Sequence, residues 1–175
     1  AEAFFQATAW TMDTSKPYGA FHLVLTVLGV SLSIFLPEVL FSGKKAGPDT
    51  ILFLCGLFLG LTELYKQGFI YYIENGRTYD WWYFPFQLCS VPMYLGLFIP
   101  MVPARIRNVF YLFIQDFGLL GGIMALAEPS GLMHPYWTMT VHGFLWHFNL
   151  IFMGLSVHFI TENRNAKKLS AYDPV

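Results

Sequence analysis

Five apolar stretches alternate with short polar or turn-rich breaks along the chain. They run from Phe21 to Phe41, Thr50 to about Tyr72, Trp81 to about Met101, Ile106 to about Ala127, and about Tyr136 to Ile160. Each approaches the roughly 20 residues that cross a bilayer core at 1.5 Å of rise per residue. The breaks are rich in Gly, Pro, Asn and charge: Ser42 to Asp49, Glu74-Asn75-Gly76-Arg77, Pro100 to Arg105, and Glu128-Pro129-Ser130-Gly131. Tyr71-Tyr72, Trp81-Trp82-Tyr83 and Tyr136-Trp137 stand at stretch ends, where amphipathic rings favour the membrane interface. The pattern predicts an all-α fold, a polytopic membrane helical bundle with about five transmembrane helices over residues 21–160. Residues 1–20 read as an interfacial, extracytoplasmic segment, and residues 161–175 as a polar, basic cytoplasmic tail.

Composition narrows the class. Of 175 residues, 55% are hydrophobic, 19% aromatic and 12% charged, against about 25% charged in an average soluble domain. Such a chain is neither an ordinary soluble globule nor a disordered one. A net charge of −1 and the lack of a basic stripe argue against a nucleic-acid partner. Cys55 and Cys89 both lie in apolar runs, so no disulfide framework is expected. No zinc signature occurs, and neither a metal nor a cofactor is expected. The first 20 residues lack the basic start and apolar core of a signal peptide.

Basic residues set a direction. Lys16 and Arg77 fall on the side of the N-terminus and of the second and fourth breaks. Lys44, Lys45, Arg105, Arg107, Arg164, Lys167 and Lys168 fall on the other. The positive-inside rule then predicts an outside N-terminus and a cytoplasmic C-terminus. No internal repeat marks an inverted-repeat transporter. Gly118 and Gly122 form a Gly-x-x-x-Gly pair suited to helix packing.

Polar residues inside the apolar stretches carry the functional signal, because a charge at mid-bilayer costs on the order of 3 kcal/mol or more. They include Glu38, Glu63, Lys66, Gln67, Gln87, Cys89, Gln115, Asp116, His142, His147 and Asn149. Glu63, Lys66 and Gln67 share one helical face by their spacing of three and four, as an internal ion pair or one wall of a polar pocket. Thr138, His142, Asn149 and Ser156 form a second stripe, and His147 with His158 a third; the His142 stripe is expected to face the interior. Pro85 and Pro92 should distort the third stretch and free carbonyls near Cys89. Counted along ideal helices, Cys89, His142, Glu63 and Asp116 lie roughly 12, 9, 14 and 17 Å from the outer end. One shared polar cavity is feasible at those depths.

The order of these pieces resembles the YwaF-like integral membrane proteins and their animal relative, transmembrane protein 164. The matching residues are Tyr18-Gly19-Ala20-Phe21-His22-Leu23, Glu63 with Lys66-Gln67, and Phe84-Pro85-Phe86-Gln87-Leu88-Cys89-Ser90. Further matches are Gly118-Leu119-Leu120-Gly121-Gly122, Ala125-Leu126 with Glu128-Pro129, and Val141-His142-Gly143. The family usually has a His where this chain has Gln87, and further helix beyond the fifth span. The resemblance implies a cysteine-dependent acyltransferase acting on membrane phospholipids, with Cys89 as nucleophile and His142 as general base. Glu63, Lys66, Gln87, Asp116 and Asn149 are then candidates for binding the lipid or orienting the His. Two other readings compete: an accessory subunit packed among other membrane subunits, and a small-molecule or ion carrier using Glu63, Lys66 and Asp116.

Overall fold

The computed structural model describes residues 1–13, 16–42 and 47–171, with side chains described as far as 161 apart from that of Ser42. Lys44 and Lys45 of the predicted basic side lie outside the described residues, and so do the side chains of Arg164, Lys167 and Lys168. The fold is all-α. Its helices are α1 (Glu2–Ala7), α2 (Ala20–Ser42), α3 (Pro48–Phe69), α4 (Val91–Phe98), α5 (Ala104–Ala127) and α6 (Trp137–Ala171). A π-helical turn, Ile70–Glu74, extends α3. Four helices are long and apolar enough to cross a membrane: Ala20–Phe41, Pro48–Glu74, Ala104–Ala127 and Trp137–Thr161. The protein is an integral membrane helical bundle.

The third predicted span is the departure. Trp81 to Met101 is not one helix. Trp81–Tyr83 is a 3-10 turn with its start capped by Asp80, whose carboxylate accepts from the Trp82 amide at 2.9 Å. Helical structure resumes at Leu88 and ends at Met101, giving a short apolar segment built on α4. Proline explains both ends of the interruption. Pro85 offers no amide to a helical ladder and disfavours helix in the residue before it, and Phe84 is extended at ψ 129°. Pro92 sits instead in the first turn of α4, where its missing N–H costs nothing. Tyr94 Oη donates to the Pro85 carbonyl at 2.8 Å and ties the irregular stretch back to α4. The last helix also runs beyond the predicted span, its backbone continuing to Ala171 through what reads in sequence as a tail.

The helices are held around α6, the most enclosed of them. Glycine lets two contacts form at backbone distance. A Cβ on Gly122 of α5 would lie 2.9 Å from the His147 carbonyl and 2.5 Å from Ile151 Cγ1. A Cβ on Gly96 of α4 would lie 2.7 Å from the Leu52 carbonyl of α3. The Gly118/Gly122 pair therefore packs α5 on α6, as the small-residue spacing predicts. On α2, the Ser33 hydroxyl lies 3.0 Å from the Phe148 carbonyl of α6. Asp49 near the start of α3 pairs with Arg107 near the start of α5 at 2.5 Å.

Chain ends and loops sort to two ends of the bundle. The N-terminal segment lies with the ends of α3 and α5: Thr8 Oγ1 meets Tyr65 Oη at 2.6 Å, and Glu2 pairs with Arg77. Met12 donates its amide to the Pro135 carbonyl at 2.9 Å, and Trp137 does so to the Trp10 carbonyl at 2.9 Å. Tyr18 Oη donates to the Ala127 carbonyl at 2.7 Å. We call this the loop end. The irregular stretch after Glu74 starts there and leads down to Cys89.

Candidate functional site

A cavity of about 370 Å³ opens at the loop end. Its walls come from the end of α3 (Lys66, Ile70, Glu74), the interrupted third span (Trp82 to Ser90), the 131–134 loop and the first turns of α6. Irregular backbone is tolerated at membrane depth where it lines a cavity, and this is where the prolines place it. The polar side chains on the wall are Lys66, Glu74, Gln87, Cys89, Ser90, His134, His142 and His147. Ile70, Leu132 and Met139 line the same space with apolar surface.

Cys89 is the second residue of the resumed helix, half-buried, rather than a residue deep within a continuous span. Its thiol donates to Gln87 Oε1 at 3.7 Å. Its carbonyl, freed by the broken helix, accepts from Trp146 Nε1 at 3.3 Å. From α5, a Cβ on Gly121 would sit at ordinary contact distance, 3.7 Å, from Cys89 Cβ. Cys89 is therefore held between α5 and α6, with its sulfur turned to the Gln87 amide.

Two histidines of α6 share the wall. His142 Nε2 is buried and has no hydrogen-bond partner, and the ring lies 5.5 Å from that of Trp146. His147 Nδ1 lies 2.7 Å from the Gly143 carbonyl. A carbonyl only accepts, so Nδ1 carries the proton and Nε2 of the neutral ring holds a free lone pair. The spacing of five residues puts His142 and His147 on different stripes of a helix, yet both reach the cavity because it wraps around α6 at Trp146 and Gly143.

Lys66 enters from α3. Its Nζ pairs with Glu63 Oε2 at 2.8 Å and lies 5.8 Å from the centroid of the Trp146 ring. Gln67 Nε2 donates to Glu63 Oε1 at 2.7 Å and to the Tyr83 carbonyl at 2.5 Å. Glu63 is 4% exposed and stands behind the cavity, neutralising the one lysine on its wall. At the rim, His134 Nε2 lies 2.9 Å from Glu74 Oε1.

The structure thus gathers Cys89, His142, Gln87 and Lys66, with Glu63 in support. It does not gather the other two expected residues. Asn149 Nδ2 donates to the Cys55 carbonyl at 3.2 Å, so it stitches α6 to α3 below the cavity. Asp116 is exposed on the outer face of α5 and touches neither the cavity nor Glu63. Sequence reasoning set aside His147 and did not single out Trp146, Glu74 or His134. The signal for Trp146 was present: it is four residues after His142, one turn along the same face.

A family model described as the TMEM164 family matches residues 16–171. No curated protein and no solved structure matches the chain.

Proposed function

Since the chain belongs to the TMEM164 family, we propose that it is a membrane-embedded acyltransferase that passes a fatty-acyl group between phospholipids through a thioester on Cys89. One observation carries this reading: the half-buried Cys89 and three histidines, His134, His142 and His147, line one cavity whose wall mixes these polar groups with apolar and aromatic surface. Its volume lies near the small end of ligand pockets, about 300–1,000 Å³, and suits the ester and glycerol region of a lipid. The chains would run out along the exposed rings of Trp82 and Phe86.

In the resting state the Cys89 proton is shared with Gln87 Oε1, an amide oxygen too weak a base to remove it. A cavity histidine takes that proton, and the thiolate attacks the acyl carbonyl carbon of a phospholipid ester. The tetrahedral intermediate collapses with cleavage of the ester C–O bond. The histidine returns the proton to the departing lysolipid oxygen, leaving the acyl group as a Cys89 thioester. In the second half, the hydroxyl of another lysolipid gives its proton to the histidine and attacks the thioester. Cys89 leaves as thiolate and is reprotonated, so the cycle closes without a cofactor. Exclusion of water by the apolar wall favours transfer over hydrolysis.

His142 is the base that the resemblance implies, and its unpartnered Nε2 is available once the wall relaxes. His147 is the base whose tautomer is already fixed by the Gly143 carbonyl. Lys66, held by Glu63, faces the polar head of the lipid. With the N-terminus outside, the cavity opens toward the outer leaflet.

The test is a thioester trap. The protein is reconstituted with a phospholipid labelled in its acyl chain, quenched in acid, and assayed for hydroxylamine-sensitive label. Label is expected on the wild type and on Cys55→Ala, and none on Cys89→Ala. Label on Cys89→Ala equal to wild type would sink the proposal. Of His142→Ala and His147→Ala, the one that loses acylation by about a hundredfold or more identifies the base.

A further inference from the structure

Asp116 stands where a carboxylate is costly and has no partner among the described residues. It lies twelve residues from Ala104 and eleven from Ala127, hence about 18 and 17 Å from the two ends of α5, near the bilayer midplane. It is exposed, in a row with Val109, Leu112, Leu120 and Ile123, all more than half exposed. Among the described residues no ion pair or hydrogen bond reaches it. Among the described residues, the cations nearest the membrane interior pair elsewhere: Lys66 with Glu63, and Arg107 with Asp49.

Beside this row runs an apolar groove of about 450 Å³. α2 and α5 touch at the loop end, where His22 Nε2 meets the Leu126 carbonyl at 3.1 Å. Below that contact they part, leaving Val30 and Ile34 on one side, Leu119 and Ile123 on the other, and Ile151 and Leu155 of α6 as the floor. Asp116 does not itself line the groove; three residues from Leu119 and seven from Ile123, it lies beside the groove on the exposed side of α5. Thr26, whose buried hydroxyl has no partner, lines the other wall.

We infer that this groove seats a transmembrane helix of a different protein, one carrying a Lys or Arg at the depth of Asp116. Charge complementarity selects that occupant. Lipid tails fill the groove but leave the carboxyl unmet. A second copy brings only its own Asp116 to the same midplane, since its intramembrane lysine is already paired with Glu63. A helix with a mid-membrane cation meets both needs, apolar side chains in the groove and a counter-charge for the carboxylate beside it.

The proposal is tested with the full chain in vesicles of zwitterionic lipid. Dye-labelled host peptides of roughly 20 Leu and Ala residues carry a central Lys, Leu or Glu. Association is read by energy transfer to the labelled protein. A polar contact between helices in a bilayer strengthens their association, and the Lys peptide is expected to bind about tenfold more tightly than the Leu peptide. Asp116→Leu should erase that preference, and because it removes an exposed charge from lipid, it should fold at least as well as wild type. Crosslinking of a Cys-bearing Lys peptide to Ile123→Cys, and not to Leu61→Cys on the opposite side of the bundle, should place the peptide in the groove. Equal binding of the Lys and Leu peptides would overturn the proposal. So would a Lys preference that survives in Asp116→Leu, or an Asp116-dependent dimer of this chain that excludes the peptide.

Discussion

At the residue scale, the most consequential group is Glu63, a carboxylate 4% exposed inside a membrane bundle. It is kept there by Lys66 at 2.8 Å and Gln67 at 2.7 Å, one turn along the same helix. Removing one partner of a fully buried pair costs about 3–5 kcal/mol, because the other charge is stranded. Lys66 faces the cavity and is 23% exposed by side chain, so the loss on Lys66→Met should be smaller, about 2 kcal/mol. Thermal unfolding in detergent should show that loss, and Glu63→Gln combined with Lys66→Met should restore most of it. Single and double variants of equal stability would mean that the pair is held for the cavity's electrostatics alone. This trio was legible from its spacing of three and four. Asp116 was misplaced because depth alone was used. Gly118 turns inward to α6, and two residues earlier on a helix is about 200° away, so Asp116 had to point out.

At the scale of elements, the sequence located a distortion in the third span but not its break into a 3-10 turn, an extended stretch and a short helix. Two prolines seven apart read as one distorted helix. In the structure they do different things: Pro85 keeps the chain out of a helix, and Pro92 starts one. The difference lies in which amides are already unneeded, which depends on where the helix begins. The short α4 then depends on its seat against α3. A Cβ on Gly96 would meet the Leu52 carbonyl at 2.7 Å, with no flexible side chain able to yield. Gly96→Ala is expected to cost about 1–3 kcal/mol in thermal or denaturant unfolding and to lower Cys89 acylation as the segment shifts. Gly60→Ala is the control, because its Cβ would meet Leu97 Cδ1 at 3.7 Å, an ordinary contact, and the helix gains propensity. A Gly96→Ala protein as stable as Gly60→Ala would show that α4 is free to slide on α3.

At the scale of the whole molecule, sidedness decides which lipids reach the cavity. The N-terminal segment, the 75–80 loop and the 128–136 loop share one end through Glu2 with Arg77, Met12 with Pro135, and Trp137 with Trp10. The 99–107 turn shares the other end with the start of α3, through Arg107 and Asp49. Five passes therefore connect opposite ends even though one of them is a 3-10 turn, an extended stretch and a short helix. What remains is which end faces the cytoplasm, and there the physics is the distribution of Lys and Arg, seven against two. A membrane-impermeant maleimide applied to intact cells reads this directly. In a background of Cys55→Ala and Cys89→Ala, Thr78→Cys at the loop end should react, whereas Arg105→Cys should react only after permeabilisation. Both positions are exposed, so protection cannot come from burial. The reverse pattern would turn the cavity toward the inner leaflet. It would leave the cysteine chemistry intact and change the pool of phospholipids that Cys89 meets.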